Sequence, residues 1–195
     1  MKNLFARQGF AVTALIILAV VGTALYRSQA RPDLVHLLGG PEQVETTAGP
    51  VPLDRLFDEV TVVFFGFTQC PDICPTTLSV VSRAYKKLPE DQQKRLRVLF
   101  VTLDPERDTL KTLTPYVGFF GDRIMGVRLD PEALERWVRT FGVFYEKVPL
   151  PDSEMGYTIN HTAAFFIIRA AQWPGQIMMS HDVEAVAGEL AAAFQ

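Results

Sequence analysis

The chain reads as an α/β domain behind an N-terminal apolar segment. Two near-continuous runs of β-branched, aliphatic and aromatic residues, "VTVVFFGF" from Val60 and "LRVLFVTL" from Leu96, have the composition of strands buried on both faces of a sheet. Stretches of helical periodicity alternate with these runs, and that alternation builds a sheet that is at least partly parallel. Length and composition agree: 195 residues, a formal net charge of -3 and 48% hydrophobic residues suit one anchored globular domain better than two independent ones. The sequence has neither strong basicity nor a Lys/Arg cluster, so the electrostatic footprint of a nucleic-acid binder is missing.

From the N-terminus, Gly9 to Tyr26, "GFAVTALIILAVVGTALY", carries no charge. At the helical rise it spans about 27 Å, close to the thickness of bilayer hydrocarbon. Residues 1–30 are therefore read as a membrane anchor. The alternative is a secretory signal, with Lys2 and Arg7 as its basic start and Ser28-Gln29-Ala30 as a small-x-small cleavage site. The apolar run exceeds the usual signal core, which favours retention. Arg27 and Arg31 balance Lys2 and Arg7, so the amino terminus alone tips the basic end inward. No Arg-rich, Ser-rich transit stretch precedes the run. The expectation is a single-pass protein of a bacterial inner membrane with its globular part on the periplasmic side, where thiols oxidise unless something reduces them.

Residues 31–50 are rich in Gly and Pro and read as a linker with at most one short hairpin. Residues 51–195 form the domain. After the strand at Val60, apolar positions at Leu78, Val81 and Tyr85 predict a helix over Thr76 to Lys87. The strand from Leu96 is followed by a helix from Thr109 to Phe119, interrupted near Pro115. Ile124 to Leu129 is the third strand, and "DPEALERWVRTF" the next helix, with Asp130 as its cap and Pro131 in its first turn. Ala163 to Ile168 and Gln176 to Met179 predict two further strands, joined through a turn at Trp173-Pro174-Gly175, and Val183 to Phe194 a closing helix. The sheet should begin parallel and end in a hairpin.

The only two cysteines lie in "FFGFTQCPDICPTTLS". Pro75 would collide with the carbonyl of residue 71 in a continuous helix, so the helix should begin near Pro75. Prolines bias the residues before them, here Cys70 and Cys74, towards extended backbone, which places both thiols in a turn at a strand-to-helix junction. There the free amides of a helix start favour thiolate over thiol. Three uses fit the pair: a structural disulfide, a redox couple or a metal site. The first is disfavoured because so small a loop constrains little of the unfolded chain.

Of three histidines, His36 lies in the linker and His181 precedes the last helix, where a solvated or capping role suits it. His161, in "TINHTAAFFII", stands at the threshold of a buried strand and fits either a hydrogen-bonded structural role or a third ligand. Two thiolates and an imidazole suit Cu(I) and tolerate Cu(II). Zinc with a water in the fourth position fits the same donors.

"GFTQCPDICPTTLS", "VTLDPERDT" and "NHTAAFFII", in this order and spacing behind an N-terminal anchor, resemble the Sco/SenC/PrrC family over roughly residues 50–195. The resemblance implies a thioredoxin-like fold, a central mixed sheet flanked by helices, with copper held as Cu(I), Cu(II) or both by Cys70, Cys74 and His161. It also implies a role in building the dinuclear copper centre of cytochrome c oxidase subunit II, by delivering copper or by reducing that subunit's cysteines. The partners implied are that subunit or another copper acceptor, and a thiol reductant outside the cytoplasm. Under the alternative, a thiol-disulfide reductase, Cys70 and Cys74 are the reacting groups and cycle through a Cys70–Cys74 disulfide. A copper or redox sensor is a third class, and no output module is recognisable for it.

Asn160 stands where the family usually has an acid before the histidine, a weaker acceptor if that acid supports the ligand. "VETTAGPVPLDRLF" and "IIRAAQWPGQIMM" also depart from the family's hairpins. Asp104 and Asp108 either line the cleft around the ligands or form the turn and cap the helix from Thr109. Asp72 reads as a solvated turn residue. Met178 and Met179 are candidate soft ligands, with core packing the alternative for at least one of them.

Overall fold

The computed structural model describes residues 33–39 and 43–195, and the expected membrane anchor lies outside them. Among the described residues no helix is long and apolar enough to cross a membrane.

The two apolar runs are the centre of the sheet. β3 (Val60–Gly66) is buried along its whole length and pairs in parallel with β4 (Leu96–Thr102), Val60 opposite Leu96 through Gly66 opposite Thr102. Alternate residues serve opposite faces. Val62, Phe64, Val98 and Phe100 enter one core, while Val63, Phe65, Leu99 and Val101 enter the other. β5 (Ile124–Arg128) extends the parallel part beside β4. β8 (Phe165–Arg169) and β9 (Gln176–Met178) close the other side as an antiparallel hairpin.

Two further strands, β1 (Gln43–Thr46) and β2 (Val51–Pro52), form a short hairpin that begins within residues 31–50, where one was expected, and ends just beyond them. β1 also pairs with β5, so this hairpin is joined to the sheet. The result is a seven-stranded mixed sheet in the order β2-β1-β5-β4-β3-β8-β9. One face is covered by α2 (Ile73–Tyr85), α4 (Leu110–Phe120) and α6 (Val183–Ala192). The other is covered by α1 (Leu34–Leu38) and α5 (Pro131–Phe141), with Trp137 fully buried.

α1 adds an element that no periodicity signalled. It is one turn long, capped by Asp33 and closed by Gly39 at a positive φ of 45°, and it buries Leu34 and Leu38. α3 (Glu90–Lys94) buries nothing and has no apolar face to read. α4 runs unbroken through Pro115, contrary to the expected interruption. Pro115 lies on the exposed side, where water can serve the carbonyl that its missing N–H leaves free.

β6 (Tyr145–Leu150) and β7 (Gly156–His161) form a separate two-stranded sheet that the sequence reading did not assign. Most of their side chains are exposed or half-buried, so the alternation that marks a strand is absent.

α5 conforms to its expected signals: Asp130 accepts a hydrogen bond from the amide of Ala133 at 2.8 Å, Pro131 opens the first turn and Gly142 closes the helix at a φ of 66°. Asp130→Ala should lower stability by about 1 kcal/mol, read as a lower denaturation midpoint at unchanged slope.

Candidate metal centre

β3 ends at Gly66, and the chain turns back through Thr68 so that the Cys70 amide donates to the Phe67 carbonyl at 3.2 Å. α2 begins earlier than the proline rule implied. Ile73 and Cys74 already belong to it, and Pro75 occupies its first turn, where the missing N–H would have no intrahelical partner. Cys70 therefore sits in the turn and Cys74 in the first turn of the helix. The Cys74 amide points at Cys70 Sγ, 3.5 Å away, so the first sulfur caps the helix that carries the second.

Cys74 is fully buried and Cys70 partly exposed, and both thiols are free. The Cys74 thiol reaches its depth because residue 66 has no side chain. A Cβ there would lie 2.8 Å from Cys74 Sγ and 2.8 Å from the Phe100 ring.

His161 arrives from the end of β7. Its ring lies against Phe64 and Phe67, with centroids 6.3 and 6.0 Å away. Nδ1 lies 2.9 Å from the Thr162 carbonyl and donates to it, which leaves Nε2 as the basic nitrogen. Nε2 is 3.5 Å from Cys74 Sγ. The Cys70, Cys74 and His161 ligand atoms all lie within 4.8 Å of one another. A cleft of about 260 Å³ opens onto them between the Phe67–Ile73 turn and residues Thr158–His161.

The thiols share their protons unequally. The hydrogen bond from Cys74, outweighing the cost of burial and helped by His161 and by the Asp72 and Cys74 amides, lowers Cys70 to about 4. Cys74 is pushed far up by the same bond, then by burial and by the charge on Cys70. The Tyr116 hydroxyl, which sequence reading did not single out, is buried without a protein partner. Burial and then the charges of Cys74 and Cys70 raise its pKa.

The remaining positions divide clearly. His36 and His181 are exposed, on α1 and ahead of α6. Asp72 is exposed and accepts from the Thr76 hydroxyl at 3.3 Å. Met178 packs on the core and Met179 is exposed. Asn160 is exposed and lines the cleft, while the partner that orients the His161 ring is the Thr162 carbonyl.

Asp104 and Asp108 are almost inaccessible, each 1% exposed. Asp108 accepts from the Thr68 amide at 2.9 Å, from the Thr68 hydroxyl, and from the Thr102 hydroxyl at 2.6 Å. It thereby fastens the thiol turn to the end of β4. Asp104 accepts from the Tyr157 hydroxyl at 2.8 Å and pairs with Arg107 Nε. Gly66, Thr68, Arg107 and Tyr157 were not recognised as site residues from the sequence, although the first two flank the thiols and Arg107 lies inside "DPERDT".

A family model for SCO1/SenC matches residues 42–195. The chain belongs to the SCO1/SenC family. The Arabidopsis thaliana protein SCO1 homolog 1, mitochondrial, is 32% identical over 132 residues, which are 67% of this chain and 39% of that protein. The Mus musculus SCO1 homolog is 32% identical over 145 residues, 73% of this chain and 49% of its own length. The chain thus spans about half or less of these curated relatives. Among solved structures, apo Sco1 from Thermus thermophilus is 39% identical at a TM-score of 0.66, covering 77% of this chain and 88% of that one. Arabidopsis thaliana ScoI with copper bound is 28% identical at a TM-score of 0.70, covering 79% of this chain and 96% of that one. The thioredoxin-like α/β fold implied by the resemblance is the one observed: a central mixed sheet flanked by helices.

Two outcomes follow from this geometry. Gly66→Ala should displace the Cys74 sulfur or the Phe100 ring and cost about 1–3 kcal/mol by overpacking, measured by chemical denaturation. In the reduced, metal-free protein, iodoacetamide should modify Cys70 at a rate nearly flat from pH 8 down to about pH 6, because the thiolate is the reacting form and protonates only near 4. Cys74 should stay unmodified while folded. A rate for Cys70 that falls about tenfold per pH unit would be that of an ordinary thiol and would contradict the assignment.

Proposed function

We propose that this protein is a copper-binding metallochaperone, with Cys70 and Cys74 supplying sulfur and His161 nitrogen. The observation that carries the reading is the convergence of those three ligand atoms within 4.8 Å, with one sulfur buried and the imidazole Nε2 left basic. Two soft sulfurs suit Cu(I), and the imidazole makes Cu(II) tolerable, so one set of donors serves both oxidation states. Copper here is cargo. The partly exposed Cys70 beside the cleft is the point from which a client's own ligands would take it.

The client we propose is the dinuclear copper centre of cytochrome c oxidase subunit II. It is supported by the family and by the two-thiol chemistry, which requires a reductant outside the cytoplasm before metal binds. The apolar run at Gly9–Tyr26 supports a tether to a bacterial inner membrane, with residues 51–195 on the periplasmic side. The asymmetry of the thiols favours a second reading, a thiol-disulfide reductase in which the partly exposed, low-pKa Cys70 attacks and the buried Cys74 resolves.

Anaerobic copper titration of the full chain separates the two. The reduced protein should take up about one Cu(I) and the oxidised form essentially none, counted as copper retained after free ion is removed, while Cu(II) binding is followed by absorption and paramagnetic resonance. His161→Ala should weaken Cu(II) binding strongly while leaving dithiol exchange largely intact. Equal Cu(I) uptake by both redox forms, or unchanged Cu(II) affinity in the variant, would defeat the chaperone assignment.

A further inference from the structure

The third ligand is delivered by an element outside the main sheet. β6 and β7 form a sheet of their own, and in β7 Ile159 is the one residue classed as buried. A two-stranded ribbon with so little apolar packing is marginal by itself. Something else must hold it where His161 meets the thiols.

The side chains that do so come from the loop between β4 and α4. Arg107 Nη1 donates to the carbonyls of Met155 and Tyr157, at 3.0 Å each. Its guanidinium lies over the Tyr157 ring, 3.6 Å from the centroid. The Tyr157 hydroxyl donates to Asp104, which also anchors Arg107 Nε. From β6, Lys147 pairs with Glu106 at 2.8 Å and lies 4.8 Å from the Tyr157 ring centroid. Tyr157 is therefore held by its ring and by its hydroxyl. Arg107 Nη2 is left buried without a protein partner, so the guanidinium is committed to the hairpin at the expense of its own hydrogen bonding.

We infer that Arg107 and Tyr157 are positioning residues for the copper site, latching the β6–β7 hairpin so that His161 reaches the Cys70–Cys74 pair. This role rests on the ligand set proposed above. The thiol pair is placed by the turn after β3, by Asp108 and by α2, none of which relies on Arg107 or Tyr157, so loosening the latch withdraws the imidazole and leaves both sulfurs in place. The dithiolate alone still serves Cu(I), whereas Cu(II) loses the nitrogen it needs. The latch thus sets the balance between the two oxidation states, and opening it is a route by which the bound ion is exposed to a client.

The test uses Tyr157→Phe, Tyr157→Leu and Arg107→Lys in the full chain, with His161→Ala alongside. In the metal-free reduced protein, amide hydrogen exchange across 145–161 should quicken in all three latch variants, most in Tyr157→Leu and least in Tyr157→Phe, while β3 and β4 keep their protection. Cu(II) affinity should fall about 10–100-fold, as for loss of groups that orient a metal ligand, with Cu(I) affinity changed by less than about threefold and an altered Cu(II) paramagnetic resonance spectrum. Unchanged exchange in the hairpin, or equal losses of Cu(I) and Cu(II) affinity, would overturn the inference, the latter being the mark of a purely structural role. If His161→Ala weakens Cu(II) binding and the latch variants do not, the latch alone fails. If His161→Ala has no effect, the ligand set fails, and the exchange measurement still decides whether the two residues hold the hairpin.

Discussion

The carboxyl groups of Asp104 and Asp108 are barely reached by water, and a buried carboxyl group is costly unless its oxygens are hydrogen-bonded. Their partners satisfy that requirement and also decide where the site is. Asp108 bonds Thr68, two residues before Cys70, and Asp104 bonds Tyr157, on the strand that ends at His161. One short loop therefore holds both halves of the donor set. Arrangements in which the thiol turn or the hairpin moves away leave at least one of these carboxyl groups short of partners, which disfavours them. The placement of the donor set depends on this constraint through Thr68 and Tyr157, although none of the three ligand residues bonds to the side chains of that loop itself.

The two halves differ in how firmly they are held. The thiols hang from β3, an interior strand of the sheet, which is buried on both faces and paired along its length with β4. The space for Cys74 is cut by Gly66 and closed by Phe100. The imidazole instead rides on a ribbon outside that sheet, fastened by polar contacts and by its two aromatic neighbours, Phe64 and Phe67. Local opening draws on elements with few buried apolar contacts and exposed hydrogen bonds. The nitrogen donor is thus on the side of the site suited to move, and the sulfur donors on the side suited to stay.

Much of the fold was legible in the chain because its signals are local. The buried strands at Val60 and Leu96 are apolar throughout, and α5 carries a cap, a first-turn proline and a closing glycine. Where the proline rule misled, the position of the proline in its helix is the reason. Pro115 does not break α4, and Pro75 is absorbed into the first turn of α2, where a proline removes no needed hydrogen bond. The hairpin of β6 and β7 gave no signal at all, since a ribbon exposed on most positions has no alternating pattern.

Residue types left His161 open between a structural role and a third ligand, the second being implied by the family resemblance, but the sequence by itself settled the order of the main elements and the placement of Cys70 and Cys74 together at a strand-to-helix junction. Those follow from residue types and short spacings, which act within a few residues of the chain. Only the tertiary structure decided that Cys74 is buried and Cys70 partly exposed, that Thr162 rather than Asn160 orients the imidazole, and that Asp104, Arg107, Asp108 and Tyr157 bind the site's parts together. Apart from the contact between the neighbours His161 and Thr162, these join segments far apart in the chain or depend on how deeply a side chain lies in the core, and neither is written in local sequence.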